Sequence, residues 1–224
     1  MEKSFPNTKQ KVGSHYCGPM CLKNTYDYLG IQKTLKQIFK EMDVDEDTST
    51  YLSQLARNLN ANNVATTIVS SLSKVINYAW RNNTKEEIIS KLKRCVLRSK
   101  RPNMISEWDK ELLHTLFYLQ EGGNIKIENI TKEIINSYLK KGKIIITCVE
   151  TSWFWGNRKI LGKTTFDDVL GDQSGHFVII TGIKNDKYII NYPYPLKEKN
   201  AVTEINQDHL IVATLIWDAQ FIII

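Results

Sequence analysis

The chain has 224 residues, 42% of them hydrophobic and 24% charged, a globular composition long enough to bury a core without disulfide staples. A formal net charge of +6 and a pI near 9.0 favour acidic partners, but charge alone does not make a nucleic-acid binder. The four cysteines, Cys17, Cys21, Cys95 and Cys148, include no CxxC pair, so a reduced, cytoplasmic setting is expected. Residues 1–6 lack the apolar stretch of a signal peptide. No run of about 18 apolar residues exists, so no membrane span is expected.

Residues 1–16 are polar, with Pro6 and Gly13, and read as an extended lead-in. From Cys17 to Leu29 the apolar spacing of Met20, Leu22, Tyr26 and Leu29 predicts a helix that Gly30 stops. A second amphipathic helix is expected over 32–42 and a third over 48–60, with the acidic stretch 43–47 as a loop between them. Residues 64–69 are β-branched and suit a strand. The middle, roughly 71–122, reads as helical, with a capping-box pattern at Thr84-Lys-Glu-Glu87 before a helix over 85–99. Further helices are expected over 107–120 and over 132–141, the latter capped by Thr131 and closed by Gly142. The last third changes to apolar runs that suit buried strands, at 143–149, 176–182 and 188–192, with Asn185-Asp186 as a turn. The runs 210–215 and 221–224 read as two more strands. Helices first and most strands later predict one α+β domain over 1–224 with a mainly antiparallel sheet.

Cys17 stands where the polar lead-in becomes a helix. A helix N-terminus and a nearby imidazolium both favour a thiolate. Gly18 removes bulk beside the sulfur, and Pro19 suits a first turn that needs no N–H. His176 opens the apolar run Ser174-Gly-His-Phe-Val-Ile-Ile180. A polar ring there needs a hydrogen-bond partner. If 176–182 and 188–192 form a hairpin, the Asn191 oxygen can accept from the imidazole and aim its other nitrogen at Cys17. The Gln10 amide and the Cys17 backbone N–H are candidate oxyanion donors.

Other residues admit plainer readings. Cys17 and Cys21 lie one turn apart and, with His15 and His176, could hold zinc, but no second ligand pair is evident and no metal or cofactor is expected. His15, His114 and His209 read as structural. Lys91, Arg94, Arg98 and Arg101 share a helix face that is either solvated or a dock for an acidic partner. No phosphate-binding glycine motif or nucleic-acid module accompanies it. Trp153-Phe154-Trp155-Gly156 is either a cleft lining or core packing.

At these residues the chain resembles the papain-like cysteine peptidases of the bacteriocin-processing, double-glycine-leader type, especially their stand-alone relatives. The resemblance is carried by Gln10 with Cys17-Gly-Pro-Met-Cys-Leu22 and Tyr28-Leu29-Gly30, and by Tyr51-Leu-Ser-Gln-Leu-Ala56 and Leu139-Lys-Lys-Gly142-Lys-Ile-Ile. Gly175-His176-Phe-Val-Ile-Ile-Thr-Gly182 and Asn191-Tyr-Pro193 complete it. It spans nearly the whole chain. It implies a papain-like fold, with the nucleophile helix packed on the sheet, and Cys17 as nucleophile, His176 as base, Asn191 as third member and Gln10 as oxyanion donor. Family members usually carry Asp at the third position, and their Cys-to-His interval is shorter, so 71–125 reads as a helical insertion. The implied chemistry is acyl transfer through a Cys17 thioester. Water as acceptor gives a peptidase or amidase acting on a peptide or acyl substrate. An amine gives an acyltransferase or transglutaminase. A non-enzymatic papain-like binding module is the third reading.

Overall fold

A computed structural model describes residues 5–99, 107–156, 159–161, 165–194 and 202–224. Helix α1 spans Cys17–Leu29, α2 Leu35–Met42 and α3 Leu52–Ala61. Strand β1 is Thr67–Ser70, followed by a 3-10 turn at Tyr78–Trp80, α4 at Lys85–Ser99 and α5 at Glu107–Gln120. Next come β2 at Asn124–Ile127, α6 at Lys132–Leu139, β3 at Ile145–Glu150 and the short α7 at Thr151–Trp155. A hairpin of β4 (Lys159–Leu161) and β5 (Thr165–Asp167) precedes β6 (Gly175–Lys184), β7 (Lys187–Asn191) and β8 (Val202–Asn206). Helix α8 (Gln207–Leu215) and β9 (Gln220–Ile223) complete the fold.

The main sheet has the order β2-β1-β9-β3-β6-β7-β8. Only its β1–β2 edge is parallel; every other described pair in it is antiparallel. The α+β architecture expected from the element order is therefore present. The central strands alternate between two cores. Ile68, Ile146, Phe177, Ile179 and Ile222 pack with Leu22, Tyr26, Leu55 and Leu59 of α1 and α3. Their neighbours Val69, Ile145, Val178, Ile180 and Ile223 pack with Ile135, Leu139, Leu210 and Ala213 of α6 and α8. Burial on both faces is why these strands read as unbroken apolar runs.

Local chemistry sets most boundaries. Gly30 ends α1 in the left-handed conformation. Thr84 and Glu87 make the reciprocal capping bonds ahead of α4. Asn185 and Asp186 both have positive φ, the backbone of a tight two-residue hairpin turn between β6 and β7. The run 210–215, expected as a strand, is instead most of α8. Asn206 accepts from the N–H groups of Asp208 and His209 and starts a helix there, and Asp208 complements its first turn. A short apolar run fits either element, and the cap decides. The small strand β2 and the β4–β5 hairpin carry no strong sequence signal.

Helices α4 and α5 and the first residues of β2 fall in the segment 71–125 expected as an insertion. Ile88, Leu92, Leu112 and Leu116 join the same core as α1 and α3. On α4, Arg94 and Arg98 are exposed, while the Lys91 ammonium donates to Asn83 Oδ1 at 2.6 Å and sits over the Trp80 ring. Arg101 lies outside the described residues. No helix among the described residues is long and apolar enough to cross a membrane.

One polar cluster is buried in this core. The Gln220 amide donates to Glu111 at 2.8 Å and to Asp218 at 3.1 Å. Burial raises the pKa of both carboxyls, and at Asp218 the Glu111 charge adds to the rise. A carboxyl raised by folding stabilises the protein below its unfolded pKa and loses that contribution as pH rises through its folded value. Glu111→Gln is therefore expected to flatten the fall in melting temperature between pH 5 and pH 8. Parallel wild-type and variant melting curves across that range would show the pair to be pH-silent.

Candidate active site

Cys17 is the first residue of α1 and is partly exposed. Tyr16, before it, makes no side-chain cap, and the first turn carries no acidic residue. Hydrogen bonding from the backbone of Phe177, Gly18 and Cys17 itself favours the thiolate. These donors lower the thiol pKa, but burial outweighs them and the net shift is upward. Burial thus opposes the acidic thiol expected from the helix dipole and an imidazolium. A Cβ on Gly18 would overlap the Thr50 hydroxyl and crowd Leu55 and Phe177, so glycine is what lets α1 approach β6.

The Phe177 contact brings Cys17 to the start of β6, one residue from His176. The imidazole is buried, 8% exposed, and its pKa is lowered to about 3 by burial. Its Nε2 has no hydrogen-bond partner among the described residues. The ring lies 4.4 Å from the Tyr192 ring centre and meets Tyr194 edge-on at 5.8 Å. Tyr192 in turn packs against Phe154 and Trp155. The aromatic stretch of α7 therefore reaches the histidine through Tyr192, while Trp153 is exposed and stacks on His209.

The expected bond between His176 and Asn191 is not made. The β6–β7 hairpin forms, but its register sets Asn191 opposite Ile179, with an irregularity between Ile180 and Gly182. Directly paired residues share a face of the sheet. Asn191 follows Ile179 to the α1 side, whereas His176, paired with Val149, stands on the α6–α8 side. The Asn191 amide donates to the Pro6 carbonyl at 2.8 Å, and its oxygen accepts from Asn24 at 3.5 Å.

Gln10 is buried too, but its amide donates to the Ser14 carbonyl at 3.0 Å and the Ser14 hydroxyl at 3.3 Å. As an oxyanion donor it would have to release Ser14. Its backbone N–H donates to the Pro193 carbonyl at 2.9 Å. Lys9 Nζ reaches the Tyr192 carbonyl, and the Gly13 N–H reaches the Tyr194 hydroxyl. The lead-in is thus laced to the segment that follows β7, and the two cover the site.

Three neighbours escaped the sequence reading. Tyr192 and Tyr194 shield the imidazole, and Trp217 packs on Gly175. A Cβ at Gly175 would sit within 2.6 Å of three atoms of the Trp217 indole, which is rigid. Gly175→Ala should therefore cost about 1–3 kcal/mol of stability by overpacking and displace the start of β6. An unchanged melting temperature would show that the indole yields freely.

The other histidines have local partners. His15 donates its backbone N–H to Glu46. His114 stacks on Tyr51 and lies 3.4 Å from Arg57, and burial lowers its pKa to about 4. His209 Nε2 is 2.9 Å from the Trp153 carbonyl. Among the described residues no group of three His, Cys, Asp or Glu side chains is placed to hold a metal ion.

No protein-family model matches the sequence, and no curated protein does. A solved structure, the "putative C39-like peptidase from Bacillus anthracis", aligns with 98% of this chain and 94% of its own at a TM-score of 0.51 and 12% identity. Helices packed on a mainly antiparallel sheet, a cysteine at the head of the first helix and this alignment together give the chain the papain-like fold of that C39-like peptidase.

Proposed function

We propose that the chain is a cysteine-nucleophile hydrolase that cleaves a peptide or amide bond through a thioester on Cys17. The observation that most supports this reading is the close packing of Gly18, at the head of α1, on Phe177, which sets the Cys17 thiol at a helix N-terminus beside the strand that begins Gly175-His176. The shared fold of the Bacillus anthracis structure supports it as well.

In this reading the start of β6 turns the His176 imidazole to the α1 face, where it takes the Cys17 proton, and the thiolate attacks the substrate carbonyl. The tetrahedral oxyanion takes hydrogen bonds from backbone N–H groups at the start of α1 and from the Gln10 amide once it leaves Ser14. His176 protonates the leaving amine and then takes a proton from water, which attacks the thioester and regenerates the thiol. Substrate binding has to part the imidazole from Tyr192 and Tyr194 and admit water or a polar group to it. That change relieves the burial that now raises the thiol and lowers the imidazole. Asn191 is the third member in this scheme: its amide already stands on the α1 face, held by Pro6 and Asn24, where the turned imidazole would meet it. The resemblance to double-glycine-leader peptidases favours a peptide substrate. With an amine in place of water the same steps form an amide, and incorporation of a labelled amine above hydrolysis would identify a transferase.

A non-enzymatic binding module is the second reading, and a specific observation favours it: burial raises the thiol and keeps the imidazole neutral, and Nε2 has no partner among the described residues. Reaction with p-nitrophenyl acetate separates the two. A hydrolase gives a burst of p-nitrophenolate, from thioester formation, followed by a slower steady release. A binding module gives neither above the rate of the protein lacking Cys17.

A further inference from the structure

Asn24 lies seven residues after Cys17 in α1, two turns on and along the same side of the helix. It is fully buried, 0% exposed. Asparagine is a mediocre helix former, and a buried amide is costly unless it is bonded. Helix formation and core packing would both favour an apolar residue at this place.

The Asn24 bonds account for its presence. Its oxygen accepts from the Thr8 N–H at 3.0 Å, and its nitrogen donates to the Thr8 carbonyl at 3.1 Å. The side chain thus pairs with Thr8 as a strand neighbour would. The same nitrogen reaches the Asn191 oxygen at 3.5 Å. Thr8 sits between two other tethers of the lead-in: Pro6 accepts from the Asn191 amide, and Gln10 donates to Pro193. The described part of the lead-in belongs to no strand of the sheet, so its path depends on these bonds together with those of Lys9 and Gly13.

We propose that Asn24 is a positioning residue: from the nucleophile's own helix, its buried amide fixes the lead-in that carries Gln10 and holds the side chain of Asn191. This rests on the cysteine-hydrolase reading above. It acts through those two residues and touches no reacting atom. Loss of Asn24 frees the middle tether and lets Gln10 and Asn191 drift relative to Cys17, which is a loss of orientation.

The test uses the full chain and the p-nitrophenyl acetate burst, which yields the acylation rate at saturation and the half-saturating concentration separately. Asn24→Leu is expected to slow acylation at least tenfold with little change in half-saturation, and to raise hydrogen exchange at residues 8–10. Thr8→Pro removes the Thr8 N–H that Asn24 accepts from, keeps the Thr8 carbonyl and leaves the core side chains in place, and should slow acylation several-fold with a melting-temperature loss no larger than that of Tyr118→Phe. It decides the matter if Asn24→Leu fails to fold. Tyr118→Phe serves as the stability control, because its hydroxyl bonds Thr66 and Asn124 on the far side of the core. Acylation within twofold of wild type in Thr8→Pro, or in a folded Asn24→Leu, overturns the proposal. So does an equal slowing in Tyr118→Phe. A wild-type protein with no Cys17-dependent burst sinks the hydrolase reading and this proposal together, whereas a normal burst in Thr8→Pro and Asn24→Leu sinks this one alone.

Discussion

Mixed with p-nitrophenyl acetate at neutral pH, the wild-type protein should release about one equivalent of p-nitrophenolate per chain in a fast phase, and Cys17→Ser should remove that phase. The hydroxyl is a far weaker nucleophile than the thiol, and the imidazole, held neutral by burial, has no partner at Nε2 among the described residues. The other cysteines do not compensate. Cys21 and Cys148 are buried, and burial raises both thiols well above the ordinary value. Because the Cys17 thiol is itself raised in the unliganded protein, its alkylation by iodoacetamide should speed up steeply from pH 7 to pH 9. A burst that survives in Cys17→Ser, or labelling confined to Cys95, would remove Cys17 from the chemistry.

Replacement of His176 should act on both rate and stability. As general base, its loss in His176→Gln should slow acylation by about 10²–10⁴-fold. The stability effect has a definite sign. Burial holds the folded-state pKa near 3, below the ordinary 6.5 of the unfolded chain. Between those values the unfolded chain binds a proton that the folded one refuses, so stability is fully present above about pH 6.5 and falls as the solution is acidified. The limiting slope is about 1.4 kcal/mol per pH unit. His176→Phe keeps an aromatic ring against Tyr192 and Tyr194 and cannot titrate, so its melting temperature should fall less between pH 6.5 and pH 4.5. The Glu111–Asp218 pair works in the opposite direction over part of this range, since its contribution fades as pH rises. The wild-type profile should therefore have a maximum, with His176→Phe flattening the acid limb and Glu111→Gln the other. Equal acid sensitivity in wild type and His176→Phe would show that the imidazole titrates normally in the fold.

Much of the fold was legible because the signals are local. The capping pair Thr84 and Glu87, the left-handed Gly30 and the Asn185-Asp186 turn act within a few residues, and each stands where its chemistry calls for it. The doubly buried strands β3, β6 and β9 were legible as apolar runs. The run 210–215 was misread because its composition fits a strand, and the deciding cap lies outside it, at Asn206. Asn24 left a faint trace: an amide on the buried side of an apolar helix, two turns from the candidate nucleophile. Nothing near it in sequence names its partners, since Thr8 lies 16 residues away and Asn191 lies 167.

The sequence by itself determined that the protein is an α+β domain with a thiol at the head of its first helix and an imidazole at the head of a buried strand. Helix caps, turns and apolar periodicity are short-range properties, and they survive without knowledge of the rest of the chain. Only the tertiary structure decided what surrounds those two groups. Pairing Asn191 with Ile179 sends the amide to one face of the sheet and leaves His176 on the other, packed on Tyr192 and Tyr194. Side chains alternate with a period of two along a strand, so the face an amide reaches depends on a register fixed by contacts far along the chain.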